Sequence, residues 1–192
     1  CVSCGACERV CPNNRKANLN EPIYWKEGWA PDDVRMKASS GGAASAMMES
    51  FVNDGGYVAA CLFRNGEFLF DITDKKADLI HFAGSKYVKS NPVGIYDKVV
   101  GKLKCGNKVL FIGLPCQVAA IKNYTMTMPA NISENLYTVD LICHGSPSPK
   151  ILSLALREKS IDIKQLSEIR FRSKTHFGVS SQDRDNEYKT IT

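Results

Sequence analysis

Four cysteines crowd the first eleven residues: Cys1, Cys4, Cys7 and Cys11, with Pro12 directly after the last. Their spacing, C-x2-C-x2-C-x3-C-P, is a run that holds cubane iron-sulfur clusters. Such iron centres favour thiolates as soft, electron-rich donors, and the two-residue gaps let one tight loop wrap three sulfurs around a cube. Gly5 gives the backbone the freedom for that turn. Zinc is the competing occupant, but zinc sites usually pair two short C-x-x-C loops across a longer span, and no second pair follows. Where two such runs occur in one chain, the last cysteine of each serves the other run's cluster. By that rule Cys1, Cys4 and Cys7 hold one cube whose fourth ligand lies upstream, and Cys11 serves a second. The alternative is that all four bind a single cluster.

The other four of the eight cysteines are dispersed as Cys61, Cys105, Cys116 and Cys143, which is not the distribution of a disulfide framework. Cys61 and Cys105 read as buried small hydrophobes. Cys116 and Cys143 stand in the loops Gly113-Leu114-Pro115-Cys116-Gln117 and Cys143-His144-Gly145, each directly after an apolar run. In open α/β sheets ligands sit beyond the carboxyl ends of strands, so both thiols are placed for metal ligation. For Cys116, at a helix start, nucleophilic or redox work is the competing role. Ser39-Ser40-Gly41-Gly42 precedes a helix and offers amides and hydroxyls to a phosphate or pyrophosphate, although the same stretch also serves as a plain cap. His144 is a candidate donor to a flavin or substrate, and Lys86 a candidate partner for a bound anion.

The elements that must position these groups follow from pattern. Residues 13–38, with Pro22, Pro31, Trp25 and Trp29, show no steady period and read as an irregular connector. Ala43, Ala46, Met47, Ser50 and Phe51 share one helical face, and Asp54-Gly55-Gly56 ends that helix. The apolar runs 57–63 and 68–73 flank Asn65-Gly66, a hairpin signal. Asn91-Pro92 reads as a helix start, with Ile95, Val99 and Leu103 at four-residue steps. Val109–Gly113 reads as a buried strand, residues 117–122 as a helix, 136–143 as a strand, and Ser148-Pro149 as the opening of another helix. Ile169–Arg172 alternates as a last strand. Strands alternating with helices predict an α/β fold: a mixed sheet with flanking helices, the hairpin being its antiparallel addition.

Composition sets the outer bounds. The chain has 192 residues, with 25 basic against 20 acidic side chains, 44% hydrophobic and 23% charged residues, enough apolar material for a core. Basic residues are scattered among acids and no groove-reading motif occurs, so no nucleic-acid role is expected. No run of eighteen apolar residues and no export signal is visible, and a cytoplasmic protein without a membrane span is the expectation. The chain starts at Cys1 inside a motif, which reads as part of a longer polypeptide.

Taken in order, Cys1-x-x-Cys4-Gly5-x-Cys7 to Pro12, Ser39 to Gly42, Gly84-Ser85-Lys86-Tyr87, Gly113-x-Pro115-Cys116-Gln117 and Asp140-Leu141-Ile142-Cys143-His144-Gly145 resemble the coenzyme F420 hydrogenase/dehydrogenase beta-subunit family. The resemblance implies an iron-sulfur flavoprotein oxidoreductase that moves electrons between 4Fe-4S clusters and FAD to a soluble carrier or substrate. It implies cluster ligands at Cys1, Cys4, Cys7 and Cys11, a further cluster involving Cys116 and Cys143, and a flavin near Ser39, Ser40, Gly41, Gly42, Lys86, Gly113, Pro115, Gln117 and His144. Its partners would be a redox protein or subunit, and coenzyme F420 or another small electron carrier. The organisation expected is a partial ferredoxin-type 4Fe-4S module at 1–13, a connector at 14–38 and an α/β oxidoreductase domain at 39–192. The rival reading is a non-catalytic, ferredoxin-like carrier subunit that docks a partner enzyme.

Overall fold

The structure, a computed structural model, describes residues 3–15, 21–172, 177–183 and 188–190, so Cys1 lies outside the described residues. The cysteine run forms a short helix, α1 (Ala6–Val10), entered through Gly5 at φ 67°. Within the expected connector one turn of helix stands, α2 (Asp32–Arg35). Gly42, at φ 79°, opens α3 (Ala43–Asn53). A Cβ there would fall 3.0 Å from the Ala30 Cβ and 3.1 Å from the Arg35 Cα, so the approach of α3 to α2 depends on glycine.

The hairpin forms as its turn chemistry dictates: β1 (Tyr57–Arg64) and β2 (Glu67–Thr73) pair antiparallel up to Arg64 opposite Glu67. Asn65 and Gly66 both take positive φ, 53° and 82°, the requirement of a two-residue loop whose twist matches the strands. A short α4 (Leu79–Phe82) follows, then α5 (Ile95–Lys104). Asn91 is not the cap of α5: its Oδ1 accepts from the Val93 N–H at 3.0 Å in a local turn, and the helix starts after Gly94 at φ 79°. Next come β3 (Val109–Gly113), α6 (Pro115–Thr125), α7 (Ala130–Ser133) and β4 (Leu136–Asp140). α8 (Pro149–Glu158) opens where expected, the Ser148 Oγ accepting from the Lys150 N–H at 3.3 Å. The described chain ends with β5 (Leu166–Arg172), β6 (Phe177–Asp183) and β7 (Tyr188–Thr190).

The main sheet has the order β2-β1-β3-β4, with β1, β3 and β4 parallel and β2 antiparallel. This is the mixed sheet with flanking helices that the pattern predicts. All five residues of β3 are buried, as a central strand covered on both faces must be. Val109 and Phe111 face Ile95, Val99, Val118 and Ile121 of α5 and α6. Their neighbours Leu110 and Ile112 point the other way, into a cluster with Met48, Leu79 and Phe82 of α3 and α4. A third cluster joins Phe68 and Val88 to Leu152 and Leu156 of α8 and to Leu166 and Ile169 of β5. Through it the antiparallel sheet β5-β6-β7 is attached.

Three further expectations need correction. β4 stops at Asp140 rather than Cys143: the Leu141 N–H still donates to the Gly113 carbonyl at 2.9 Å, but Ile142 is 92% exposed with no facing layer. The strand read at 169–172 is the first of three, not the last. Cys105 is exposed at the end of α5, whereas Cys61 lies half-buried between two of the apolar clusters. Among the described residues no helix is long and apolar enough to cross a membrane.

Candidate functional site

Gly113 and Asp140, the last residues of β3 and β4, are partners across the parallel ladder, so Cys116 and Cys143 each follow a strand end by three residues. Both thiols are exposed and free, and the Cys143 Sγ accepts from the Gly145 N–H at 3.4 Å. Pro115 fills the first turn of α6, where its missing N–H costs nothing. Gln117 is buried and committed inside the protein: its Oε1 accepts from the Leu114 N–H at 3.0 Å, and its Nε2 donates to the Ser90 Oγ at 2.9 Å. A Cβ on Gly113 would lie 2.8 Å from Phe111 Cε1 and 3.2 Å from Gln117 Oε1, so glycine is what lets this turn close on its own glutamine. The Tyr96 hydroxyl donates to the Gln117 carbonyl at 3.3 Å. Burial, and then negative charge at Cys116, push that phenol up to about 12. His144 is exposed beside Cys143.

A separate cleft of about 530 Å³ lies between the loop around Ser39, the segment 83–86 and β5. The Ser39 Oγ is buried and accepts from the Ser85 N–H at 2.9 Å, which ties two of its walls together. The Lys86 ammonium donates to the carbonyls of Phe82, Ala83 and Gly84 at 3.0, 2.9 and 3.0 Å. Burial pushes it down to about 8, against the opposing pull of Cys61 and Glu168. Of the residues expected near a flavin, Ser39 and Lys86 line this cleft. Ser40, Gly41, Gly42, Gly113, Pro115, Gln117 and His144 do not. Gly41 instead accepts the Ala30 N–H at 2.8 Å, so the glycine pair braces the cleft loop from behind. Arg170 and Arg172 also line the cleft and were missed from sequence. Their two-residue spacing on an alternating strand is the signal that could have found them.

Cys4 and Cys7 are exposed and Cys11 is half-buried, all free thiols. The Arg9 guanidinium donates to the Cys4 carbonyl at 2.9 Å, closing the loop that carries them. This segment docks on α6: Asn123, 3% exposed, donates through Nδ2 to the carbonyls of Val10 at 3.1 Å and Arg15 at 3.4 Å. The donors fit iron-sulfur chemistry by type, soft thiolates on a loop that Gly5 turns. By position they are not gathered, since among the described residues no three His, Cys, Asp or Glu side chains stand together as a metal site. The cleft is large enough for a cofactor with a diphosphate, and Lys37, Lys86, Arg170 and Arg172 line it together with Glu168, which pairs with Arg170.

Residues 106–191 match the family described as the carboxy-terminal part of the coenzyme F420 hydrogenase/dehydrogenase beta subunit, a stretch that contains both strand-end cysteine loops. An uncharacterized protein of Methanocaldococcus jannaschii is 26% identical over 129 residues, 62% of this chain and 36% of that protein. Among solved structures, a chain of the F420-reducing NiFe hydrogenase complex from Methanosarcina barkeri shares the fold with a TM-score of 0.59 and 17% identity, over 85% of this chain and 57% of that one. The chain therefore spans about a third of the first relative and just over half of the second.

Proposed function

From its likeness to the beta subunits of coenzyme F420 hydrogenases and dehydrogenases, we propose that this chain is the electron-relaying iron-sulfur flavoprotein component of an oxidoreductase. When bound, a 4Fe-4S cluster supplies one-electron steps and FAD supplies two-electron exchange with coenzyme F420 or another small carrier. The observation that carries this reading is the docking of the cysteine run on α6, the helix whose first turn bears Cys116 at the carboxyl ends of the parallel strands. Cys1, Cys4, Cys7 and Cys11 hold iron in a ferredoxin-type segment at 1–13. Cys116 and Cys143 form a further ligand pair, and residues 14–38 link that segment to the oxidoreductase domain at 39–192. Ser39, Lys86, Arg170 and Arg172 bind the anionic part of the flavin. The three donors of Lys86 are spent on carbonyls, so it acts by charge rather than by direct contact. Ser40, Gly41 and Gly42 brace the flavin loop, while Gly113, Pro115, Gln117 and His144 shape the strand-end turns. Redox partner subunits and a cytoplasmic setting complete the proposal.

Anaerobic purification with iron, acid-labile sulfide and released flavin counted in one sample tests this reading. Matching iron and sulfide together with bound FAD is the expected result. A colourless protein that takes up zinc instead would overturn it. The commitment of Lys86 to backbone carbonyls favours one alternative, a carrier subunit without its own flavin. Iron without flavin, even after incubation with FAD, would select that reading.

A further inference from the structure

A second cavity, of about 270 Å³, lies beside the cleft, and Lys37, Ile80 and Ala83 line both. The two spaces therefore meet along one ridge. Cavities that take a whole small ligand run from about 300 Å³ upward, so the smaller one suits part of a ligand whose remainder occupies the cleft. Its lining includes the buried side chains of Val34 and Leu79. Lys76 and Glu49 line it too, paired at 3.2 Å. An apolar surface beside one cationic donor and one carboxylate acceptor matches an adenine ring, whose edge carries an exocyclic N–H to donate and a ring nitrogen to accept. The cations of the neighbouring cleft are unequally committed. Lys86 spends its donors on the carbonyls of Phe82, Ala83 and Gly84, and Arg170 pairs with Glu168. Lys37 is exposed and, among the described residues, its ammonium has no ion pair or hydrogen bond. By holding the Ala83 carbonyl, Lys86 also neutralises a backbone oxygen on the ridge that Lys37 shares.

We propose that the second cavity seats the adenine of a flavin dinucleotide and that Lys37 contacts the diphosphate where it crosses the ridge from the cleft, an inference that rests on the flavin reading above. Lys37 is placed for this because it is the uncommitted cation that both cavities share, and a phosphate oxygen gives its ammonium a charge-assisted partner. Ser45, on α3, lines the second cavity but not the cleft, so the two ends of the ligand can be probed separately. The arrangement makes the site selective for the dinucleotide over the mononucleotide: FMN fills the cleft and leaves the second cavity unused, whereas FAD gains contacts in both.

The experiment titrates FAD and FMN into the flavin-free full chain and into its Ser45→Trp and Lys37→Gln variants, reading binding from the quenching of flavin fluorescence. Wild type is expected to hold FAD about tenfold or more tighter than FMN. Ser45→Trp, which fills the second cavity, should weaken FAD by about tenfold or more and FMN by less than about twofold. Lys37→Gln, an exposed change that leaves the packing alone, should weaken FAD by about fivefold or more, and it carries the test if the tryptophan disturbs α3. Equal affinity of wild type for the two flavins would overturn the proposal, as would FAD binding that neither variant changes. Equal losses of FAD and FMN in Ser45→Trp, with FAD binding unchanged in Lys37→Gln, would overturn it too, since that pattern marks a disturbed cleft rather than an emptied adenine seat. Uptake of neither flavin by wild type would remove the flavin reading itself and this proposal with it, whereas tight FAD binding with indifferent variants removes the proposal alone.

Discussion

Lys86 shows how one side chain turns local geometry into a measurable pH dependence. The residue as a whole is half-buried, yet its ammonium is enclosed and its pKa pushed down to about 8 from the ordinary 10.5. The unfolded chain therefore holds more protons than the folded one between about 8 and 10.5, and stability rises with pH across that window. The contribution is fully present above 10.5 and is lost as pH falls through about 8. Cys61 acts with the opposite sign: burial raises its thiol pKa above 9.0 despite Lys86 and Ser90, so its contribution is lost as pH climbs. Comparing wild type with Lys86→Met isolates the lysine. Urea unfolding at pH 7 and pH 10.5 is expected to show wild type gaining about 1–3 kcal/mol more than the variant over that range. Parallel pH profiles would show that the three carbonyls hold the ammonium charged in the fold.

Among the elements, the β1–β2 hairpin was the most legible, because its turn asks for two positive φ angles and Asn65-Gly66 is the pair that supplies them. Gly66→Ala should cost about 1–2 kcal/mol in chemical denaturation. Its φ is 82°, and the new Cβ would stand 3.2 Å from the Lys164 Cα and 3.3 Å from the Ile163 carbonyl. A change below a few tenths of a kcal/mol would mean the turn re-forms freely. The buried strand β3 and the helix opened by Ser148-Pro149 were legible for similar local reasons. Other features were not legible in this way. Asn91-Pro92 carries a helix-start pattern, but the Asn91 side chain satisfies Val93 instead and delays the helix beyond Gly94. The sheet β5-β6-β7 was read only at its first strand, because Phe177–Asp183 has little apolar alternation to mark it, although its partners are the strands directly before and after it. Of the candidate site, the cysteine spacing and the strand-end loops could be read directly. The cleft could not, since it needs β5 to bring Arg170 and Arg172 across from Ser39 and Lys86.

At the scale of the whole molecule, the cysteine-bearing segment is bound to the α/β body through α6, and Asn123 is the buried side chain that spans the junction. Its amide serves two carbonyls of a segment that contributes no residue to any of the apolar clusters described above. That makes the docking a polar attachment to an independently packed core, so it should be separable from global stability. Asn123→Ala is expected to raise amide exchange across residues 4–15 by tenfold or more, as docking is lost. Exchange in β1 and β3, buried in the two main clusters, should stay within twofold of wild type. If exchange rises equally in the strands, the segment is part of the cooperative core, and the picture of a cysteine unit fastened to a self-sufficient α/β scaffold is wrong. If it stays unchanged at residues 4–15, the attachment rests on contacts other than the Asn123 amide, and the route from the cysteine run to the strand-end thiols would have to be drawn through them.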